Sequence, residues 1–267
     1  MSDFNPKDYW DNRLSHEYSL KGVGDIGLPV SYNNFLYRVR QNAFDYMINK
    51  IGLNYSDESF CVLDVGSGTG FYIDQWQRVG AKTIVGSDIT DTAVSNLKGK
   101  YSNQEFINQD IGNVLTNQLN QRKFDVVTAF DMLFHIVDDN NFETAITNFS
   151  ALVKPDGYLI FSDNLSPSQD IRLEHQVSRS EKEVFRLLSS KGFKLEKIVP
   201  MFVFMNDPVR SKSRVLKKIF SIIYRLASKS EFMGKMVGSL LYIFEVLAIR
   251  IMQRGPSTEI FVWKRVE

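Results

Sequence analysis

The strongest chemical signal in the chain is the run Asp64-Val65-Gly66-Ser67-Gly68-Thr69-Gly70. Alternating glycines let a backbone turn sharply and come close to a ligand, because no Cβ blocks positive φ or close approach. An aspartate two residues before the first glycine can face a cationic ligand or accept from its amine. Further acids recur after apolar runs, at Asp88, Asp110, Asp131 and Asp163. His135 follows Asp131 by four residues. An imidazole with a pKa near neutrality can take a proton from a hydroxyl; the plainer reading is a helix-start histidine that caps or packs. Asp131 and His135 alone do not make a metal site, so no metal is expected.

These residues need elements to hold them. Phe60 to Val65 reads as a short buried strand, and Phe71 to Val79 as a helix. A strand, a glycine turn and a helix N-terminus together leave free backbone N–H groups that suit a nucleotide-like ligand. The dinucleotide fingerprint is G-x-G-x-x-G; here the spacing is G-x-G-x-G, and Phe71 stands where the third dinucleotide glycine would fall. Further strands are predicted at Thr83–Val85, Phe106–Ile107, Phe124–Ala129, Tyr158–Phe161, Phe193–Met205 and Ile260–Trp263. Helices are predicted at Asn34–Lys50, Thr92–Leu97 and Asn141–Val153, with another headed by a Ser180/Glu183 capping box. Repeated strand–helix units predict an α/β fold, a doubly wound, mostly parallel Rossmann-like sheet covered by helices on both faces. Ligands bind such sheets at the carboxyl ends of the strands, where the aspartates fall.

The 267 residues are 43% hydrophobic with a formal net charge of +1, which gives no sign of a general nucleic-acid binder. The one cysteine, Cys61, lies within the first strand and points to a reducing, cytoplasmic setting. The N-terminus lacks the pattern of a secretion signal, and no uninterrupted apolar stretch reaches the roughly 18 residues of a spanning helix. Residues 1–33 read as an irregular aromatic arm, either packed on the core or acting as a flap, with Tyr9, Trp10, Arg13 and Tyr32 as candidate substrate contacts. Arg13 is available to a carboxylate. Arg179, just ahead of the capped helix, is a further candidate for an acidic substrate group. Residues 34–205 plus 257–267 form the expected core, and 206–256 an inserted pair of helices. The first carries Arg214, Lys217, Lys218 and Arg225 beside an apolar face, with no acid from Arg210 to Lys229; the second contains Gly234-x-x-x-Gly238. Lid, homodimer interface and peripheral membrane contact are all open readings of it.

The DVGSGTG motif, its spacing to Asp88 and Asp110, and the stretch Lys154 to Asp163 (KPDGYLIFSD) resemble class I S-adenosylmethionine-dependent methyltransferases over roughly residues 35–205 plus the last strand. By that resemblance the sheet has seven strands, the last antiparallel. Asp64 and the loop Gly66, Ser67, Gly68 and Gly70 would hold the methionine moiety. Asp88 would accept from the ribose hydroxyls with Ile89 against the adenine, Asp110 would accept from the adenine amine with Ile111 alongside, and Phe130 and Asp131 would lie near the transferable methyl. His135, then Asp131, would be the base for a hydroxyl acceptor. Some quinone-pathway relatives have a further acid where Phe134 stands here. The stretches YWDNRL (9–14), GVGDIGLPVSYNNFLYR (22–38), MFVFMNDP (201–208) and RGPSTE (254–259) resemble bacterial members of that class associated with surface glycans. The implied function is methyl transfer to a hydroxyl of a small-molecule or glycan acceptor, lipid-linked acceptors included; the alternative is an inactive methyltransferase-like binding module.

Overall fold

The structure, a computed structural model, describes residues 4–53, 55 and 57–266. Helices α1 (Pro6–His16) and α2 (Val30–Ile51) precede the sheet. Then come β1 (Cys61–Val65), α3 (Phe71–Val79), β2 (Thr83–Asp88), α4 (Asp91–Lys100), β3 (Glu105–Asn108) and β4 (Phe124–Ala129). A 3-10 turn (Leu133–His135) leads to α5 (Asp139–Leu152) and β5 (Val153–Asp163). A small antiparallel pair, β6 (Ile171–Arg172) and β7 (Val177–Ser178), precedes α6 (Glu181–Ser190) and β8 (Phe193–Pro200). Helices α7 (Arg214–Ala227) and α8 (Glu231–Ile251) and strand β9 (Glu259–Arg265) close the chain.

The seven-stranded sheet has the order β3-β2-β1-β4-β5-β9-β8, mostly parallel, with β9 antiparallel. The chain runs outward from β1 to β3 and then restarts on the other side of β1 with β4, so the topological switch point lies between β1 and β4. Their register, Val62 beside Val126 and Asp64 beside Thr128, brings the ends of both strands to one rim. Val62, Leu63, Val126, Val127, Leu159, Ile160 and Phe161 are fully buried, as expected of strands covered on both faces.

Three elements differ from expectation. The N-terminal arm contains a helix, α1. Its start is set by Asn5, whose side-chain oxygen accepts from the amides of Lys7 and Asp8, with Pro6 at the first helical position. The mixing of aromatics and charges hid it, since its single buried residue is Leu14 and no apolar stripe exists to be read. The Ser180/Glu183 capping box is not made: Ser180 caps without a side-chain bond, its amide donates to Asp170, and Glu183 pairs with Arg186. The strand predicted over Phe193–Met205 stops at Pro200.

The chain divides into two compact units. The first holds residues 1–15, 54–197 and 261–267, with most of the sheet; the second holds 16–53 and 198–260. The second is built on α2 packed along α8, with α7 against α8. The N-terminus of α2 has no side-chain cap of its own, because Pro29 occupies that position. Glu231 from α8 supplies one, its carboxylate accepting from the amides of Val30 (2.9 Å) and Ser31 (2.8 Å). Glu245, also on α8, is fully buried and accepts from the amides of Val203 (2.6 Å) and Phe204 (2.8 Å). Glu259 is buried too, and binds Arg254 through both oxygens and the amide of Gly255 at 2.7 Å. Gly234 and Gly238 face α2: a Cβ on Gly238 would meet Phe35 Cδ2 at 2.5 Å. The small-residue pair thus serves close helix approach within the chain.

Candidate active site

At the end of β1 the backbone turns on Gly66, Gly68 and Gly70, all at positive φ. The amides of Gly66 and Ser67 both donate to the Ser87 carbonyl at the end of β2, and the Ser67 hydroxyl donates back to the Asp64 carbonyl at 2.9 Å. At Gly70, φ is 83° and a Cβ would come within 2.6 Å of the Tyr101 hydroxyl, so no other residue fits. That hydroxyl donates to Asp74 at 2.6 Å and lies 2.9 Å from the Gly70 carbonyl, which ties the loop and α3 to the end of α4.

The Asp64 side chain is buried, and its Oδ1 accepts from the Thr128 hydroxyl at 2.7 Å. Burial pushes its carboxyl up to about 7, against the lowering effect of the Thr128 and Ser67 hydrogen bonds. A carboxyl poised in this way gains most from a cationic partner. Asp88, at the end of β2, is buried and its pKa is raised by that burial. One of its oxygens accepts from the Gly68 amide (2.9 Å), the other from the amide and hydroxyl of Thr90. A carboxylate has about four acceptor positions, so these three bonds leave room for one more donor. Thr90 in turn caps α4 by accepting from the Ala93 amide. Asp110 is bound within its own turn, accepting from the Gly112 amide and the Asn113 side chain. Ile111 is buried beside it, and Ile89 is half-buried after β2.

Past β4, Phe130 is buried and stacks on Tyr72 with ring centroids 3.9 Å apart. Asp131 is held at φ 53°, a conformation that costs energy for any residue but glycine and persists only where its surroundings impose it. Here Ser162, near the end of β5, imposes it: the Asp131 amide donates to the Ser162 hydroxyl at 2.7 Å, and that hydroxyl donates to Asp131 Oδ1 at 2.8 Å. Four residues on, His135 Nδ1 lies 2.9 Å from the His175 carbonyl oxygen. A carbonyl only accepts, so Nδ1 carries the hydrogen and Nε2 is the basic nitrogen. Burial pushes the His135 pKa down to about 4, so the ring is neutral at ordinary pH. Trp10 meets it edge-on at 4.9 Å, and Phe134 lies at 4.5 Å.

Helix α1 supplies that Trp10. Tyr9, on the same helix, stacks on the His175 ring at 5.9 Å, and the Arg13 guanidinium lies over the Trp10 ring and donates to the Tyr9 hydroxyl. At its other flank Lys7 pairs with Asp91 at 3.0 Å and Asp11 accepts from the Thr92 amide. Helix α1 therefore runs along the rim from the start of α4 to His135, touching both the β2 end and the β4 end.

The structure brings most of the sequence-predicted residues to one rim of the first unit. Two substrate candidates take other places. Tyr32 belongs to the second unit, fully buried, its hydroxyl aimed at the Met205 carbonyl at 3.4 Å; its periodicity was that of a core residue of α2. Arg179 is buried in the first unit: it pairs with Asp139 (2.9 Å), donates to the Ile136 carbonyl (2.8 Å) and lies 3.9 Å over the Phe142 ring. Its Nη2 and Nε are committed to holding the turn after His135, while Nη1 is buried without a hydrogen-bond partner. His175, which reads in the sequence as a surface or loop residue, fixes the tautomer of His135 instead. Among the described residues, no group of three His, Cys, Asp or Glu is placed to hold a metal ion. Sequence reasoning also passed over Thr128 and Ser162. The signal for both was present: a hydroxyl directly after the apolar run of its strand, Val126–Val127 in β4 and Leu159–Phe161 in β5. For His175, forty residues from its partner, there was none.

Residues 63–161 match the methyltransferase domain family, and the fold is the class I, Rossmann-like methyltransferase fold. The cofactor of that class is S-adenosylmethionine. A ubiquinone biosynthesis O-methyltransferase of Actinobacillus pleuropneumoniae is 32% identical over 130 residues, which is 44% of this chain and 53% of that one. Its counterpart in Coxiella burnetii is 28% identical over 123 residues, 44% of this chain and 51% of its own. The chain thus spans about half the length of these relatives. The crystal structure of magnesium protoporphyrin IX methyltransferase from Synechocystis PCC 6803 with bound S-adenosylmethionine shares the fold at 16% identity and a TM-score of 0.59, over 99% of each chain. The N-methyltransferase NodS from Bradyrhizobium japonicum WM9, in complex with S-adenosylhomocysteine, does so at 12% identity and 0.57, over 99% of this chain and 100% of its own.

Proposed function

We propose that the protein transfers a methyl group from S-adenosylmethionine to a hydroxyl of a small-molecule or glycan acceptor. The residues fit the cofactor. The loop turns on three glycines at positive φ, Asp64 is a buried carboxyl at the end of β1, and Asp88 keeps an acceptor position at the end of β2. Asp64 and the loop would hold the methionine end, Asp88 the ribose, and Asp110 with Ile111 and Ile89 the adenine side. When bound, the cofactor supplies an electrophilic methyl group on a sulfonium.

The chain's own part is positioning and proton handling. Most of the rate gain in a direct displacement comes from holding the partners in line. His135 Nε2 accepts the acceptor's proton as the hydroxyl oxygen becomes nucleophilic, while Nδ1–H stays on the His175 carbonyl. The Ser162-held Asp131 stands four residues away to stabilise the resulting imidazolium. Trp10 and Tyr9 of α1 exclude water from this end of the rim.

The observation that carries the reading is the Nδ1 bond to His175, which sets Nε2 as the proton acceptor in a neutral ring. The names of the O-methyltransferase relatives support oxygen as the acceptor atom. Incubation with labelled S-adenosylmethionine and fractionated metabolite and glycan extracts tests it. Label in an acid- and base-stable ether product is expected; label only in amines or thiols would move the acceptor away from oxygen.

A further inference from the structure

The second unit presents a surface that its own packing leaves uncovered. On α8, Phe232, Met236, Leu240, Ile243, Leu247 and Ile251 are exposed, Leu240 at 64% and Ile251 at 79%. Their spacing of three and four residues puts them on one stripe along the whole 21-residue helix. The opposite face, with Gly234, Gly238, Glu245 and Ile249, is the one buried in the unit. On α7, Val215, Ile219, Ile222 and Leu226 form a second exposed stripe. Leu216, Phe220 and Ile223 turn further inward. The two helices follow each other through a short turn and pack together.

The charge beside these stripes has one sign. Arg214, Lys218 and Arg225 are exposed on α7 along one edge of the stripe of Val215, Ile219 and Ile222. Lys235 and Arg250 flank the α8 stripe. The two acids of α8 are engaged elsewhere, Glu231 on the N-terminus of α2 and Glu245 in the interior. An apolar stripe bordered by cations is the form that lies in the headgroup region of an anionic bilayer, with the long cationic side chains reaching the phosphates.

Two other occupants fit less well. A second copy docked by a two-fold axis would set this surface against itself, cations facing cations with no acid between them. Insertion across the bilayer is compatible with the length and mean hydropathy of α8, 1.6 over its apolar window. It would, however, strip Glu245 from the amides of Val203 and Phe204 and carry a carboxyl into hydrocarbon. Helix α8 is thus fixed to the unit by one face and free to meet lipid by the other.

We infer that the α7–α8 face is a docking surface for a membrane containing anionic phospholipid, on which the protein lies peripherally without crossing. This does not rest on the methyl-transfer reading, and neither test bears on the other.

Co-sedimentation of the full chain with vesicles tests it. Binding is expected to vesicles of phosphatidylcholine mixed with phosphatidylglycerol, to weaken on phosphatidylcholine alone, and to fall with added salt. The triple variant Leu240→Gln, Ile243→Gln, Leu247→Gln should lose roughly tenfold or more in vesicle affinity with an unchanged circular dichroism spectrum and melting curve. Reversal at Arg214→Glu and Lys218→Glu should weaken binding to the anionic vesicles specifically. Should the triple variant unfold, Leu240→Trp is the second probe: its added emission should shift to the blue on anionic vesicles. Absence of vesicle binding by the native chain, or an unshifted Leu240→Trp spectrum, overturns the proposal. So does a dimer in the ultracentrifuge that forms through this face in place of vesicle binding.

Discussion

Two ionisable side chains at the candidate site are moved in opposite directions along the pH scale by the same cause. Burial disfavours charge, so it raises Asp64 to about 7 and lowers His135 to about 4. The consequences separate in pH. Asp64 must be ionised to hold a cationic ligand, so affinity for S-adenosylhomocysteine, which keeps its ammonium, should fall by up to about tenfold per unit as pH drops below about 7 and level off above it. Calorimetry across that range checks the slope, and Asp64→Asn should weaken binding and flatten it. Without cofactor the sign is the reverse for stability. The folded pKa lies above the ordinary 3.8, so this group's contribution is lost as pH rises through about 7, and Asp64→Asn should raise the melting temperature on the alkaline side. His135 behaves otherwise: as a base it is already neutral, so turnover should show no inflection near the ordinary histidine value of 6.5 and should decline only as pH approaches about 4. His135→Ala should cut turnover by roughly a hundredfold with cofactor affinity unchanged. A turnover equal to that of the native chain would remove His135 from the proposed chemistry.

At the level of elements, what was legible in the sequence was what depends on local pattern. Strand β1, the glycine loop and α3 follow directly from an apolar run, glycine spacing and helical periodicity, and α3 occupies the predicted residues Phe71–Val79. Gly52, two residues past the predicted helix Asn34–Lys50, ends α2 in the left-handed conformation. The parts that escaped depend on distant partners. Helix α1 has a local signal only in its Asn5 cap and is otherwise held by aromatic contacts to residues more than a hundred positions away, and the cap of α2 comes from Glu231, two hundred residues on. The candidate site divides along the same line: its glycines and aspartates are readable, whereas the bonds from Thr128, Ser162 and His175 that set their chemistry are pairings between strands or loops. Glu245 provides a test at this scale. Glu245→Ala would leave the buried Val203 amide and the Phe204 amide without acceptors, at a cost of about 2–4 kcal/mol for the pair, read as a lower midpoint in urea unfolding. A midpoint equal to the native one would show that those amides find other partners.

For the molecule as a whole, the two units have different physical characters. The first is a sheet whose rim gathers a glycine cradle, buried carboxyls and a neutral imidazole under α1. The second is a helical unit tied together by buried glutamates, and it shows an apolar, cation-bordered face. The proposed methyl transfer and the proposed attachment to an anionic membrane are separate properties, each resting on the residues of one unit. The central claim belongs to the first: the β1–β4 rim binds S-adenosylmethionine through Asp64, the glycine loop and Asp88. Its most direct test is calorimetric titration of the full chain with S-adenosylhomocysteine, alongside Asp88→Ala. One equivalent bound by the native chain is predicted, with affinity lowered roughly tenfold or more in the variant, which loses a charged acceptor. No binding by the native chain, or equal affinity in Asp88→Ala, would contradict it.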